Sequence, residues 1–187
     1  MVRRIPTLSL ALAVSIVSTA CAACTRSEET TGRDKAASEI PKPPDPYEGS
    51  PSRFGEVPLH AGFSPDPRVV AGEAHGEIEA RSIQRKCRGW ISEVPDYLLI
   101  ARSAFFKLHV LGRSRADVSL VVRKPDGTVL CNDDRGGSSD PTVRSNFPIG
   151  TSQIWVGVKE EGATARYRLG FSEVIGQSAS ISLPDSI

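Results

Sequence analysis

The sequence predicts an all-β fold, an antiparallel, jelly-roll-like β-sandwich of about eight strands. Apolar and polar residues alternate over short segments, as in strands with one buried face. Turn sequences such as Pro125-Asp126-Gly127 separate those segments. From residue 61 onward, no window of 11 or more residues carries the apolar stripe of an amphipathic helix. Together these patterns favour two facing sheets around one core.

The strand pattern recurs along the second half of the chain. Residues 118–123 alternate with Val118, Leu120 and Val122 on one face, and in the segment 105–111 Phe106, Leu108 and Val110 are expected to share the buried face. In the next long run Ile154, Val156 and Val158 share a face opposite Trp155. The other predicted strand segments are 77–83, 90–91, 97–100, 128–131 and 167–171.

Residues 1–20 have the features of a secretory signal peptide. Arg3 and Arg4 precede an apolar run, residues 8–17, that is too short for a stable membrane span, and small residues follow up to Ala20. Cys21 then stands where bacterial lipoproteins carry the diacylated cysteine, although Ser18 replaces the Leu usual three positions before it. We therefore expect lipidation at Cys21 and a protein anchored in the cell envelope. Ordinary signal-peptidase cleavage after the small-residue pattern Ala20-Cys21-Ala22, giving a secreted or periplasmic protein, is the alternative.

A second cysteine follows closely. Cys24 is a weaker lipidation candidate, and Cys21-Ala-Ala-Cys24 has C-x-x-C spacing. The motif does not open a helix in a βαβ unit, so it does not indicate a redox site.

Composition divides the remaining chain into three parts. Residues 21–60 are expected to form a disordered tether, because 40–58 hold six of the 14 prolines: Pro41, Pro43, Pro44, Pro46, Pro51 and Pro58. The sandwich is expected over 61–174, and 175–187 form a tail. Lys and Arg total 23 and Asp and Glu 22. With near-neutral charge and no basic stripe, nucleic acid is not an expected partner.

Several motifs in order resemble the bacterial pre-peptidase C-terminal domain family. They are Gly62-Phe-Ser-Pro-Asp-Pro67, Cys87-Arg-Gly-Trp-Ile91, Pro95-Asp-Tyr97, Pro125-Asp-Gly127, Cys131-Asn-Asp-Asp134 and Ile154-Trp-Val-Gly157. The resemblance covers about Gly62 to Glu173 and implies an exported β-sandwich without catalytic activity of its own, with roles in binding, secretion or regulation of an attached enzyme. No protease is attached in this sequence.

Cys87 and Cys131 are expected to form a disulfide. They flank separate predicted strands, and an exported protein is oxidised, so a bridge is favoured over two buried thiols. Closing this loop is expected to stabilise the fold by about 4 kcal/mol in the chain-entropy estimate.

The acidic loop after Cys131 is the metal candidate. Asn132, Asp133, Asp134 and Asp140 offer hard oxygen ligands around Gly136-Gly137, which suits calcium. Val143 stands where an EF-hand requires Glu, so the loop is not an EF-hand. The alternative is an ordinary turn, because Asn, Asp and Gly are typical turn residues. Asp117 is a further candidate ligand or another turn residue. No cofactor other than calcium is indicated.

No common catalytic motif is present, and the three histidines, His60, His75 and His109, are far apart in sequence. Trp90 and Trp155 are expected in the core, with an aromatic platform for sugars or a partner as the alternative. The sequence therefore favours a non-enzymatic, lipid-anchored binding or structural module. The alternatives are a calcium-stabilised adhesion domain that binds glycan or protein, a partner or inhibitor of a secreted protease, and a small hydrolase.

Overall fold

Eleven strands in two sheets form the part of the chain that the structure, a computed structural model, describes, residues 44–134 and 140–184. The first sheet contains β1 (Glu56–Leu59), β3 (Ile78–Glu79), β4 (Trp90–Ile91), β5 (Tyr97–Ala101), β7 (Val118–Arg123), β8 (Val129–Asn132) and β10 (Gly150–Val158). The second contains β2 (Arg68–His75), β6 (Phe105–Ser114), β9 (Thr142–Phe147) and β11 (Thr164–Ser172). The predicted all-β sandwich is confirmed, with β1, β2 and β9 in addition to the expected strands.

Strand β10 is the centre of the first sheet. It pairs with β7 along one side, and with β5 and then β4 end to end along the other. The principal strands have the order β5-β10-β7-β8 in one sheet and β2-β11-β6-β9 in the other. This is a jelly-roll arrangement, in which antiparallel neighbours within a sheet are distant in sequence. Among the described strands, β1 alone is parallel to its neighbour, β5.

The core lies between the sheets and follows the alternation in the sequence. Each strand contributes alternate residues, among them Val118, Leu120, Val122, Ile154, Val156, Val158, Tyr167, Leu169 and Phe171. Their neighbours on β7 and β10 face outward, where Val121 and Trp155 join a second cluster. Period-two patterning therefore identified the inward face correctly on these strands.

On β6 the expected face is wrong at one residue. Phe105, Leu108 and Val110 are buried in the core, whereas Phe106 is 87% exposed. The pairing of β6 with β9 shifts register between Phe105 and Leu108. A bulge there adds one residue to the strand, which reverses the facing of every residue before it.

The tether predicted over 21–60 is also corrected, since residues 44–60 belong to the fold. Strand β1 pairs with β5, and Arg53 and Phe54 donate backbone hydrogen bonds to the carbonyls of Pro95 and Asp96. The prolines alone do not reveal these partners. The signal peptide, Cys21, Cys24 and the tether up to residue 43 lie outside the described residues.

The predicted tail also packs, in its described part, against the second sheet. A 3₁₀ turn, Gln177–Ser180, precedes Ile181, which is 1% exposed. Ile181 lies over Gly170 of β11, where a β-carbon would be 2.2 Å from the Ile181 Cδ1 atom. No helix in the described residues is long and apolar enough to cross a bilayer.

Candidate functional site

A cleft of about 400 Å³ opens at one end of the first sheet, where β10 finishes and β7 begins. It is lined by Glu79, Arg81, Arg88, Gly89, Trp90, Asp117, Val118, Ser119, Asp133, Asp134, Val158 and Lys159. Four of these residues are acidic and three are basic. The cleft therefore presents charges of both signs around a small apolar wall.

Ser119 lies at the floor of this cleft. It pairs with Gly157 across the ladder, and a β-carbon at Gly157 would be 2.4 Å from the Ser119 hydroxyl. Gly89, with a φ of +88°, approaches the same hydroxyl from the crossing segment. The hydroxyl is buried and has no hydrogen-bond partner among the described residues. Two glycines thus let a backbone segment and a polar side chain meet where larger residues would collide.

Trp90 forms part of the cleft wall. It pairs with Val158 of β10 and Glu79 of β3, and it is half-buried against the inner core. Trp155 is different: it is 2% exposed, with the Arg123 guanidinium 5.5 Å from its ring. The structure therefore places Trp155 in the outer core cluster, while Trp90 both packs and faces the cleft.

Three loose ion pairs form the rim of the cleft. Lys159 lies 3.5 Å from Asp117, Arg88 lies 3.8 Å from Asp133, and Arg81 lies 3.9 Å from Glu79. All six side chains are largely exposed, and such pairs contribute little to stability. They are consequently free to exchange partners with a charged or hydroxylated ligand at small cost.

The disulfide supports one side of this rim. Cys87 and Cys131 are bonded, with their Cα atoms 5.4 Å apart. The expected bridge is thus present, but it does not join the two sheets. It fastens the segment before β4 to the edge strand β8, over the outer cluster that contains Val121 and Trp155. Arg88 is the residue after Cys87, and Asp133 is the second residue after Cys131. The bridge therefore brings these two charged side chains together.

The residues predicted to bind calcium have other contacts in the structure. The Asn132 amide donates to the Asp134 carbonyl and accepts from the Thr142 N–H, while Asp140 accepts from Arg113. Asp133 faces Arg88. Residues 135–139, which include both loop glycines, are outside the described part. Elsewhere, among the residues described, no group of three or more His, Cys, Asp and Glu side chains has metal-binding geometry. Calcium binding at this loop stays a prediction.

The histidines remain separate. His60 is in the loop after β1, where its Nδ1 lies 2.9 Å from the Ala61 carbonyl, and His75 lies 3.5 Å from Glu73 at the end of β2. His109 is buried on β6, opposite Ser172 of β11. None of the three lines the cleft.

A buried ion pair that the sequence did not reveal holds the N-terminal segment. Asp96 is fully buried and accepts hydrogen bonds from Arg53 and from the Val156 N–H, each at 2.7 Å. Burial raises the pKa of Asp96 to about 6, against the opposing effects of the Val156 N–H and the Arg53 charge. Arg53 also donates to the Glu73 carbonyl, so it ties together both sheets. In the sequence, Pro95-Asp96-Tyr97 is notable only as one of the motifs that carry the family resemblance.

No protein-family model matches the chain, and no curated protein matches it. Among solved structures it is similar to the pre-peptidase C-terminal domain of a collagenase from Bacillus anthracis, with a TM-score of 0.43 and 12% identity over 65% of this chain and 97% of that chain. It is also similar to PliG of Aeromonas hydrophila, a periplasmic inhibitor of g-type lysozyme, with a TM-score of 0.35 and 13% identity over 65% of this chain and 98% of that one. Both likenesses concern the overall fold only.

Proposed function

We propose that this chain is an exported, lipid-anchored binding module of the cell envelope, without catalytic activity, and that the cleft at the end of β10 is its ligand site. The observation that carries the proposal is the mixed-charge rim around Trp90, fastened on one side by the disulfide. Charged side chains beside an aromatic wall suit a polar ligand, either a glycan or a polypeptide segment.

The chemistry of the cleft favours binding over reaction. Six of the seven charged side chains that line it form ion pairs at the rim, and the Ser119 hydroxyl has no hydrogen-bonded base among the described residues. Among the described carboxyl groups, the one whose pKa is strongly raised, Asp96, is enclosed by Arg53 and the β10 backbone instead of facing a cavity. It serves to hold the fold.

Export and anchoring rest on the N-terminal sequence. The signal-like residues 1–20 and Cys21 support them, and a disulfide-fastened domain suits an oxidising compartment. Mass spectrometry of the N-terminal peptide from the native host checks this part independently, since a diacylated Cys21 and a free Ala23 differ in mass.

Binding is tested by charge reversal at the rim. The purified chain is applied to a glycan panel and to envelope protein fractions. Any ligand found is then added to the chain in increasing amounts, and binding is followed by the change in Trp90 fluorescence. We expect Arg88→Glu combined with Lys159→Glu to weaken binding at least about tenfold, or roughly 1.4 kcal/mol. Arg144→Glu is the matched control, because Arg144 is exposed on β9 of the other sheet.

The site assignment is rejected if the Arg144 control lowers affinity as much as the rim variant does. A hydrolytic activity that is lost on replacing His109 by Asn would instead support the small-hydrolase alternative. If no glycan binds but an envelope protein does, the ligand is a polypeptide.

A further inference from the structure

An apolar surface lies at the end of β10 opposite the cleft. A groove of about 510 Å³ opens there, lined mainly by Pro44, Pro46, Ala104, Pro125, Pro148 and Ile149. These residues come from the start of the described chain and from the loops β5–β6, β7–β8 and β9–β10. Together with Phe106 they are called the apolar end below.

Two large side chains at the apolar end are exposed to solvent. Phe106 is 87% exposed and Ile149 is 48% exposed. Phe105 pairs with Phe147 at the ends of β6 and β9, which places Phe106 next to the loop that carries Ile149. The β6 bulge turns Phe106 outward while its neighbours enter the core. An exposed aromatic side chain beside an apolar groove is typical of a surface that is covered in use.

Two carboxylates, Asp45 and Asp126, also line the groove, and both have local partners. Asp45 accepts hydrogen bonds from the Tyr47 and Thr151 N–H groups, and Asp126 accepts from Thr128 and lies 3.5 Å from Lys124. The Lys107 ammonium lies 5.7 Å from the centre of the Phe106 ring. A lysine beside an exposed aromatic ring suits the boundary between lipid headgroups and acyl chains, where the ring is buried and the ammonium reaches a phosphate.

The path of the chain also leads to this surface. Pro44 and Pro46 line the groove themselves, and 22 residues lie between Cys21 and Pro44. Such a segment spans at most about 80 Å. A lipid at Cys21 would therefore keep the domain within that distance of the bilayer, and the apolar end is where the described chain begins. Docking would then be an intramolecular event, for which a small apolar patch is sufficient.

We propose that the apolar end rests on the lipid bilayer, with Phe106 and Ile149 inserted at the headgroup boundary and Lys107 beside the lipid phosphates. This inference rests on the membrane anchoring in the proposed function. Strand β10 runs from this end to the cleft, and its nine residues span roughly 27 Å. The bilayer-facing end and the ligand cleft are thus at opposite ends of the sandwich, and the cleft points away from the membrane.

The test supplies the anchor artificially. The chain from residue 22 onward, with an N-terminal hexahistidine, is captured on phosphatidylethanolamine–phosphatidylglycerol vesicles that contain a nickel-chelating lipid and brominated acyl chains. Phe106→Trp places a fluorophore at the apolar end, and its high exposure keeps the core intact. Lys159→Trp, at the exposed rim of the cleft, is the matched control.

We expect bromolipid to quench the emission added by Phe106→Trp and to leave the unsubstituted chain and Lys159→Trp unquenched. Absence of quenching in Phe106→Trp, or equal quenching in both variants, overturns the proposal. If the emission of Phe106→Trp is blue-shifted without vesicles and light scattering shows a dimer, the proposal is overturned. The apolar end would then be a contact between two copies of the chain. Because the nickel-chelating lipid replaces the natural anchor, the result does not depend on whether Cys21 is lipidated in the host.

Discussion

At the scale of single residues, the burial of Asp96 has a direct consequence for stability. Its carboxylate is removed from water and keeps two hydrogen bonds, one from Arg53 and one from the Val156 N–H. These contacts offset part of the desolvation cost, yet burial still raises the pKa of Asp96 from 3.8 to about 6. The folded state therefore binds this proton more tightly than the unfolded chain does.

The raised pKa predicts a pH-dependent stability. Protonation of Asp96 favours the fold, so its contribution is fully present below pH 3.8 and is lost as the pH rises through about 6. A shift of this size corresponds to about 3 kcal/mol. We expect the free energy of unfolding of the wild type, measured by urea titration relative to Asp96→Asn, to fall by up to that amount between pH 4 and pH 7.

Asp126→Asn is the control for this measurement. The Thr128 hydrogen bonds and the Lys124 charge lower the pKa of Asp126 despite partial desolvation, so its contribution is lost as the pH falls through its folded-state pKa. Between pH 4 and pH 7 the difference between wild type and Asp126→Asn should therefore stay constant, because its change lies below the unfolded-state pKa of 3.8. A constant difference between wild type and Asp96→Asn would contradict the raised pKa.

At the scale of elements, the disulfide and the strand it fastens form a cover on the first sheet. The segment from Ala80 to Ile91 crosses the outward face of β7 and β10, where Val121 and Trp155 would otherwise be exposed. Because β8 is an edge strand and β3 and β4 are two residues each, few backbone hydrogen bonds hold this cover. The covalent bond compensates for that deficiency.

Removing the disulfide is therefore expected to loosen the cover first. For the Cys87→Ser/Cys131→Ser variant we expect a loss of about 4 kcal/mol in the free energy of unfolding, from a sequence separation of 44 residues. Near-ultraviolet circular dichroism of Trp155 should weaken while the far-ultraviolet β signal persists. An unchanged denaturation midpoint would show that packing alone holds the segment.

At the scale of the whole molecule, the sandwich begins well before the turn at Gly62. Arg53 pairs with Asp96, the Phe54 ring lies 5.6 Å from that of Tyr97, and β1 extends the first sheet beside β5. Asp45 accepts a hydrogen bond from the Thr151 N–H, at the start of β10. Residues 44–60 thus close one edge of the first sheet and neutralise a buried charge.

Two truncations test this boundary. A chain that starts at residue 44 should retain the melting temperature of the mature protein, since every described contact remains. A chain that starts at residue 61 loses β1 and leaves Asp96 without Arg53, and removal of one partner from a buried pair typically costs about 3–5 kcal/mol. Equal melting temperatures for the two truncated chains would show that the segment is dispensable.

Local sequence was sufficient for much of the fold. On β7, β10 and β11 the residues that face the inner core alternate with residues that face away from it, so the pattern itself identifies both the strand and its inner face. It was insufficient for β1, β2 and β9. Strand β9 carries Arg144, Ser145 and Asn146 between its buried residues, and β2 is an edge strand with mostly partly exposed side chains. Where few side chains of a strand are buried, the alternation of apolar and polar residues is weak. The pairing partners of these strands are also remote in sequence.

The sequence by itself determined the all-β class, the alternating core of the central strands and the pairing of Cys87 with Cys131, because each depends on short-range patterning or on the small number of cysteines. Only the tertiary structure decided that Phe106 faces outward, that Arg53 meets Asp96, and that Arg88, Trp90, Ser119 and Lys159 surround one cleft. A jelly roll joins strands that are far apart in the chain. Contacts between them depend on register and on which sheet a strand enters, and neither quantity is encoded within the strand itself.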